Sequence, residues 1–181
     1  WADKDGQLIF REPSGHSNGN AVDLEGRLLT CEHSNRRVSR TETDGTIITL
    51  VDNYKGHRLN SPNDLAVKSD GTVWFTDPPY GLLGIGEGVQ SRSELDGCYV
   101  FRFDPLSGNI EIASDDFDKP NGIAFSPDES LLYISDTGRT HNPQGPHHIR
   151  VFDVEQGKYL TNGRVFANID PGVPDGFCLD E

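Results

Sequence analysis

The chain has 181 residues, the length of one domain, and carries 29 carboxylates against 16 lysines and arginines for a formal charge of −13. Such a surface repels a phosphate backbone, so no nucleic-acid partner is expected, and no apolar run is long enough to cross a membrane. The hydrophobic share of 34% and mean hydropathy of −0.56 suit an all-β chain, in which glycines and prolines separate short runs rich in Val, Ile, Leu, Phe and Tyr.

Residues 7–11 open the chain as a strand of a preceding unit. A pattern then recurs. Asn18-Gly19-Asn20-Ala21-Val22 leads through Asp23-Leu24-Glu25-Gly26 into Arg27-Leu28-Leu29-Thr30-Cys31. Strands over 37–41 and 47–50 follow, with Thr43-Asp44-Gly45 as the hairpin turn between them. Asn63-Asp64-Leu65-Ala66-Val67 starts the second unit and Thr72-Val73-Trp74-Phe75-Thr76-Asp77 continues it, with strands expected over 98–103 and 110–113. The third begins Asn121-Gly122-Ile123-Ala124-Phe125, runs through 130–136, and ends with strands over 148–153 and 164–167. Asp175-Gly176-Phe177-Cys178-Leu179 starts a fourth.

Four antiparallel strands per unit are the content of a β-propeller blade. The units cover approximately residues 18–60, 63–117 and 121–170, three whole blades with partial blades on either side. Added length falls in the loops 78–96 and 137–147, and lengthened loops on a regular frame usually carry function. The chain starts at Trp1 without any methionine, ends at Glu181 just after an apolar run, and its repeats are cut at both ends. A propeller domain over 1–181 truncated at both ends is therefore expected. A β-sandwich does not repeat so regularly, and a β-solenoid has shorter repeats without paired hairpins.

The first strand of a blade lines the central channel, so its opening residue sits at one mouth. The openers Asn18, Asn63, Asn121 and Asp175 lie 45, 58 and 54 residues apart. All are short and oxygen-bearing, and the symmetry points them at one axis. Oxygen donors without clustered His or Cys suit a hard cation such as Ca²⁺. Asn-Gly and Asp-Gly are also turn formers. Four openers in register, three of them after Pro62, Pro120 and Pro174, favour a ligand position. Cys31, Cys98 and Cys178 form neither a disulfide framework nor a zinc spacing. Ser14 and Ser17 lack the surroundings of a serine nucleophile, and His16, His147 and His148 read as structural.

The stretches Arg58-Leu59-Asn60-Ser61-Pro62-Asn63-Asp64, Trp74-Phe75-Thr76-Asp77-Pro78-Pro79-Tyr80-Gly81, Pro120 to Glu129 and Pro174-Asp175-Gly176 resemble the gluconolactonase branch of the family that includes regucalcin (senescence marker protein). The likeness runs along nearly the whole chain. It implies a six-bladed propeller in the complete protein, one divalent cation in the channel, and hydrolysis of sugar lactones. It also implies that Asn121 and Asp175 ligate the metal, that Asn63 lies near the substrate, and that Asp175 is the catalytic water-activating group. The cation is expected to be Ca²⁺, with Zn²⁺, Mg²⁺ and Mn²⁺ as alternatives. The family's glutamate ligand stands in a Glu-Gly-Pro sequence, which this chain lacks; Glu12 precedes Pro13 without the glycine. That ligand is read as lying in a missing N-terminal part. Arg58, Tyr80 and His141 are further candidates for substrate contact. The expected partner is a small-molecule lactone and the expected compartment the cytoplasm, with periplasm or secretion as alternatives. Two other readings stay open: a non-catalytic propeller binding a ligand or protein at its channel face, and a related metal-dependent esterase or phosphotriesterase.

Overall fold

The computed structural model describes residues 10–84 and 86–180, together with the backbone of a short hairpin formed by β1 (Ala2–Asp3) and β2 (Gly6–Gln7). Three four-stranded antiparallel sheets follow in chain order. The first contains β3 (Ser17–Val22), β4 (Leu28–Glu32), β5 (Arg37–Thr41) and β6 (Ile47–Val51). A small hairpin, β7 (Asn53–Tyr54) with β8 (His57–Arg58), leads to the second sheet. That sheet is β9 (Leu65–Val67), β10 (Val73–Asp77), β11 (Tyr99–Asp104) and β12 (Asn109–Ser114). The third is β13 (Pro120–Phe125), β14 (Leu131–Asp136), β15 (His148–Glu155) and β16 (Tyr159–Asn168). Each sheet is a simple meander, and β9 contacts both β3 and β13. The fold is thus all-β with propeller blades, their first strands innermost, and these three sheets do not close a ring.

Alternation along the strands explains why the sheets stack. Successive side chains point to opposite faces. In β10, Val73 and Phe75 join Leu29, Cys31 and Val38 of the first sheet in one core cluster. Trp74 between them joins Ile123, Leu132, Ile134 and Phe152 of the third sheet in another. The second sheet is therefore apolar on both faces. Trp74, Phe75 and Phe101 are fully buried, each stabilising the stack by roughly 1.5–3 kcal/mol of transfer energy. Charged links reinforce the second contact: Lys68 Nζ lies 2.9 Å from Glu129 Oε2, and Lys158 Nζ 2.9 Å from Glu111 Oε2.

Some strand expectations change. Of residues 7–11, Gln7 belongs to β2, 8–9 lie outside the described residues, and Phe10 and Arg11 are not in a strand. Residues 175–179 form no strand either. The last strand of the third sheet starts at Tyr159, well before residue 164. Asn162-Gly163 looks like a turn, but Asp153 pairs with Thr161 and Val151 with Arg164, so the two residues form an irregularity within β16.

Candidate functional site

Asn18 and Asn121 sit where the inner strands β3 and β13 begin, both at irregularities, while Asp175 lies in a segment that forms no strand. Register shifts lie between Ser17 and Asn20 in β3 and between Pro120 and Ile123 in β13. Such bulges re-aim side chains at strand ends. Asn63 precedes β9, with its N–H donating to the Thr76 carbonyl at 2.9 Å.

The glycines after Asn18 and Asn121 have a different task from a turn glycine. Gly19 and Gly122 lie inside strands without a left-handed φ. A β-carbon on Gly19 would stand 2.6 Å from the Asn63 carbonyl oxygen. On Gly122 it would stand 2.5 Å from the Asp175 carbonyl oxygen. The Asn-Gly pair therefore lets the next opener's backbone approach closely. Gly19 N–H donates to the Asn63 carbonyl at 2.7 Å, and Ser135 Oγ, 2.7 Å from Gly122 N, donates to the Asp175 carbonyl at 3.3 Å. In this way Asn63 is set beside Asn18 and Asp175 beside Asn121.

Asn121 and Asn63 are buried, 8% and 4% exposed, whereas Asn18 and Asp175 are exposed. Thr76 Oγ1 donates to the Asn121 backbone carbonyl at 2.6 Å. Asn121 Oδ1 is buried with no hydrogen-bond partner among the described residues. Asp175 Oδ1 accepts from Gly176 N–H at 3.0 Å. Asp64 accepts from Leu65 N–H at 2.9 Å through Oδ1 and from Ile123 N–H at 3.2 Å through Oδ2, tying β9 to β13. Burial pushes the Asp64 carboxyl above its ordinary range; the two N–H donors oppose that shift and the Asp175 charge adds to it.

Both lengthened loops leave their sheets at this end, after Asp77 and Asp136. Tyr80, in a 3-10 turn over Tyr80–Leu82, is buried with its hydroxyl bonded to the Thr137 side chain and 3.1 Å from Thr140 Oγ1. Its ring centroid lies 5.6 Å from that of His141. The structure thus brings Tyr80 and His141 together. Arg58 sits elsewhere in the contact network: its guanidinium donates to the Asn35 carbonyl at 2.8 Å and its N–H to Glu94 Oε2 at 2.9 Å.

Sequence reasoning passed over His33. It is 1% exposed, with Nδ1 2.9 Å from the Glu87 carbonyl oxygen and Nε2 3.5 Å from Asn63 Nδ2. Its partners lie 54 and 30 residues away, so no spacing rule marks it. The one available signal was its place one residue beyond Glu32, which ends β4 as Asp77 and Asp136 end the second strands of their sheets.

Among the described residues, no three of His, Cys, Asp and Glu gather closely enough to hold a metal. The available donors are amide oxygens with the Asp175 carboxylate. The buried Asn121 Oδ1 without a partner and the Asp175 carboxylate are oxygen donors of the kind a hard cation takes; what the structure sets side by side is the Asp175 backbone carbonyl and Gly122.

The model of the SMP-30/Gluconolactonase/LRE-like region matches residues 1–181. A gluconolactonase of Zymomonas mobilis is 32% identical over 203 residues, covering 100% of this chain and 55% of its own length. The lactonohydrolase oryL of Aspergillus oryzae is 34% identical over 94 residues, 52% of this chain and 21% of its own. The solved structure of a gluconolactonase from Xanthomonas campestris superimposes with a TM-score of 0.87 at 42% identity, over 95% of this chain and 55% of that one. The chain thus spans about half the length of the gluconolactonases it matches.

Proposed function

The chain belongs to the SMP-30/gluconolactonase/LRE-like family, and from that premise we propose that it serves the hydrolysis of sugar lactones at the opener end of its channel. The observation that carries the proposal is the buried, unpartnered Asn121 Oδ1, in a strand whose next residue, Gly122, packs against the backbone of Asp175. A buried acceptor without a donor costs about 1–3 kcal/mol, and a bound cation removes that cost. Asn121 and Asp175 would hold the ion, Ca²⁺ foremost, with Zn²⁺, Mg²⁺ and Mn²⁺ as alternatives. Bound there, a divalent cation supplies Lewis-acid polarisation of the ester carbonyl.

The chain's own residues supply the rest. Asp175 orients the attacking water or accepts its proton. Water oxygen adds to the carbonyl carbon, the ring C–O bond breaks, and the leaving oxygen takes a proton to give the hydroxy acid. A carboxylate fully committed to a cation is a weak base, so the two roles of Asp175 compete. Asn63 hydrogen-bonds the substrate, and Tyr80 with His141 walls the mouth. Arg58 would first have to leave Asn35.

The test follows acid release from gluconolactone with a pH indicator, corrected for spontaneous opening, using the full gene product. The proposal expects turnover that chelation abolishes and Ca²⁺ restores. Acid release no faster than the spontaneous rate contradicts it, and saturable lactone binding without acid release favours the non-catalytic binding reading. Turnover indifferent to chelation removes the metal from the account.

A further inference from the structure

We propose that His33 is a positioning residue, whose bare Nε2 holds the Asn63 side-chain amide with Nδ2 toward the imidazole and Oδ1 turned away for a ligand. The Glu87 carbonyl oxygen can only accept a hydrogen bond. His33 Nδ1 at 2.9 Å must therefore carry a proton. Burial pushes the imidazole below its ordinary value, which keeps it neutral near pH 7. A neutral ring has one N–H, so Nε2 presents a lone pair. The atom facing it must be a donor. Of the two ends of the Asn63 amide only Nδ2 qualifies, and it stands 3.5 Å away. The direction of the amide, ambiguous from shape alone, is thus set by a backbone carbonyl in the loop 78–96.

The packing keeps the ring in place. A β-carbon on Gly81 would lie 2.5 Å from His33 Cβ and 2.8 Å from Ser61 Cβ. Gly81 N–H donates to Ser61 Oγ at 2.9 Å, and Ser61 is two residues before Asn63. His33, Ser61 and the start of the long loop therefore form one packed unit behind the opener. That relay stands on geometry; the ligand at Asn63 Oδ1 rests on the function proposed above.

The first measurement uses the unmutated chain. Long-range proton–nitrogen NMR of His33 should show a protonated Nδ1 and a bare Nε2 at neutral pH; a proton on Nε2 overturns the relay. The second compares His33→Gln, whose carbonyl oxygen can replace the Nε2 lone pair, with His33→Leu, which has no acceptor. In the full gene product His33→Leu should raise KM for gluconolactone about tenfold, the scale of one lost hydrogen bond, with kcat less affected, and His33→Gln should recover most of it. Equal impairment by Gln and Leu contradicts a lone-pair role. Asn63→Ala with an unchanged KM would remove the substrate role of Asn63, while the NMR result still decides the relay.

Discussion

Gly122 and Gly176 follow openers in identical fashion, yet the structure separates them. At Gly122 a β-carbon would meet the Asp175 carbonyl oxygen at 2.5 Å and Phe177 Cδ1 at 2.8 Å. Ordinary contact begins at 3.4 Å, so the 175–177 segment must retreat by about 0.9 Å. At Gly176 the nearest atom is Asp64 Oδ2 at 3.9 Å, and its φ is not left-handed. Gly122→Ala should therefore cost about 2 kcal/mol from overpacking, roughly 4–8 °C in Tm for a domain of this size. It should also displace Asp175 from Asn121 and lower turnover on the order of 10²-fold, the scale of a 1 Å misplacement. Gly176→Ala should leave Tm within about 2 °C, as expected of a change below 0.5 kcal/mol. Calorimetric melting and gluconolactone turnover of the two variants make the comparison. Equal behaviour of the two would refute the close-approach argument and restore both glycines to ordinary turn residues.

Asn121→Ala removes the orphaned amide oxygen and should weaken Ca²⁺ binding in isothermal calorimetry; unchanged affinity takes Asn121 out of the site. Asp77 is fully buried, and burial raises its carboxyl from 3.8 to about 7 against N–H donors from Asn60 and Ser61. Because the folded value lies above the unfolded one, its contribution to stability is full below about pH 4 and is lost as pH rises to 7. Asp77→Asn should abolish that loss, on the order of 4 kcal/mol at pH 8 and little at pH 4, and parallel denaturation curves of both proteins across this range would count against it. Tyr80→Phe removes the bonds to Thr137 and Thr140 and should cost about 1 kcal/mol, read as a lower Tm.

Much of the fold was legible because the blades repeat a two-residue alternation. Residues 37–41 were expected as a strand and form β5, since Val38 and the flanking polar residues fit that period. The Asn162-Gly163 irregularity was not legible: turn chemistry and bulge chemistry use the same residues, and only the pairing of β15 with β16 decides between them. At the candidate site the openers were visible as a periodic feature, but the task of Gly19 and Gly122 was not. Close approach involves atoms 44 and 53 residues further on, Asn63 and Asp175. His33 escaped for the same reason. The bonds that give it meaning cross from the first sheet to the loop of the second.

The central claim, that Asp175 acts on water at a cation site, is tested most directly by Asp175→Asn in the full gene product. Asparagine keeps an oxygen and nearly the same shape but loses the charge and the basic lone pairs. The account predicts that Asp175→Ala abolishes gluconolactone hydrolysis. Asp175→Asn should retain some metal by titration but lose turnover on the order of 10²-fold or more, as when a general base is removed. If Asp175 served only to shape the chain before Gly176, asparagine would serve as well. Near-normal rates for Asp175→Asn at saturating metal would contradict the account.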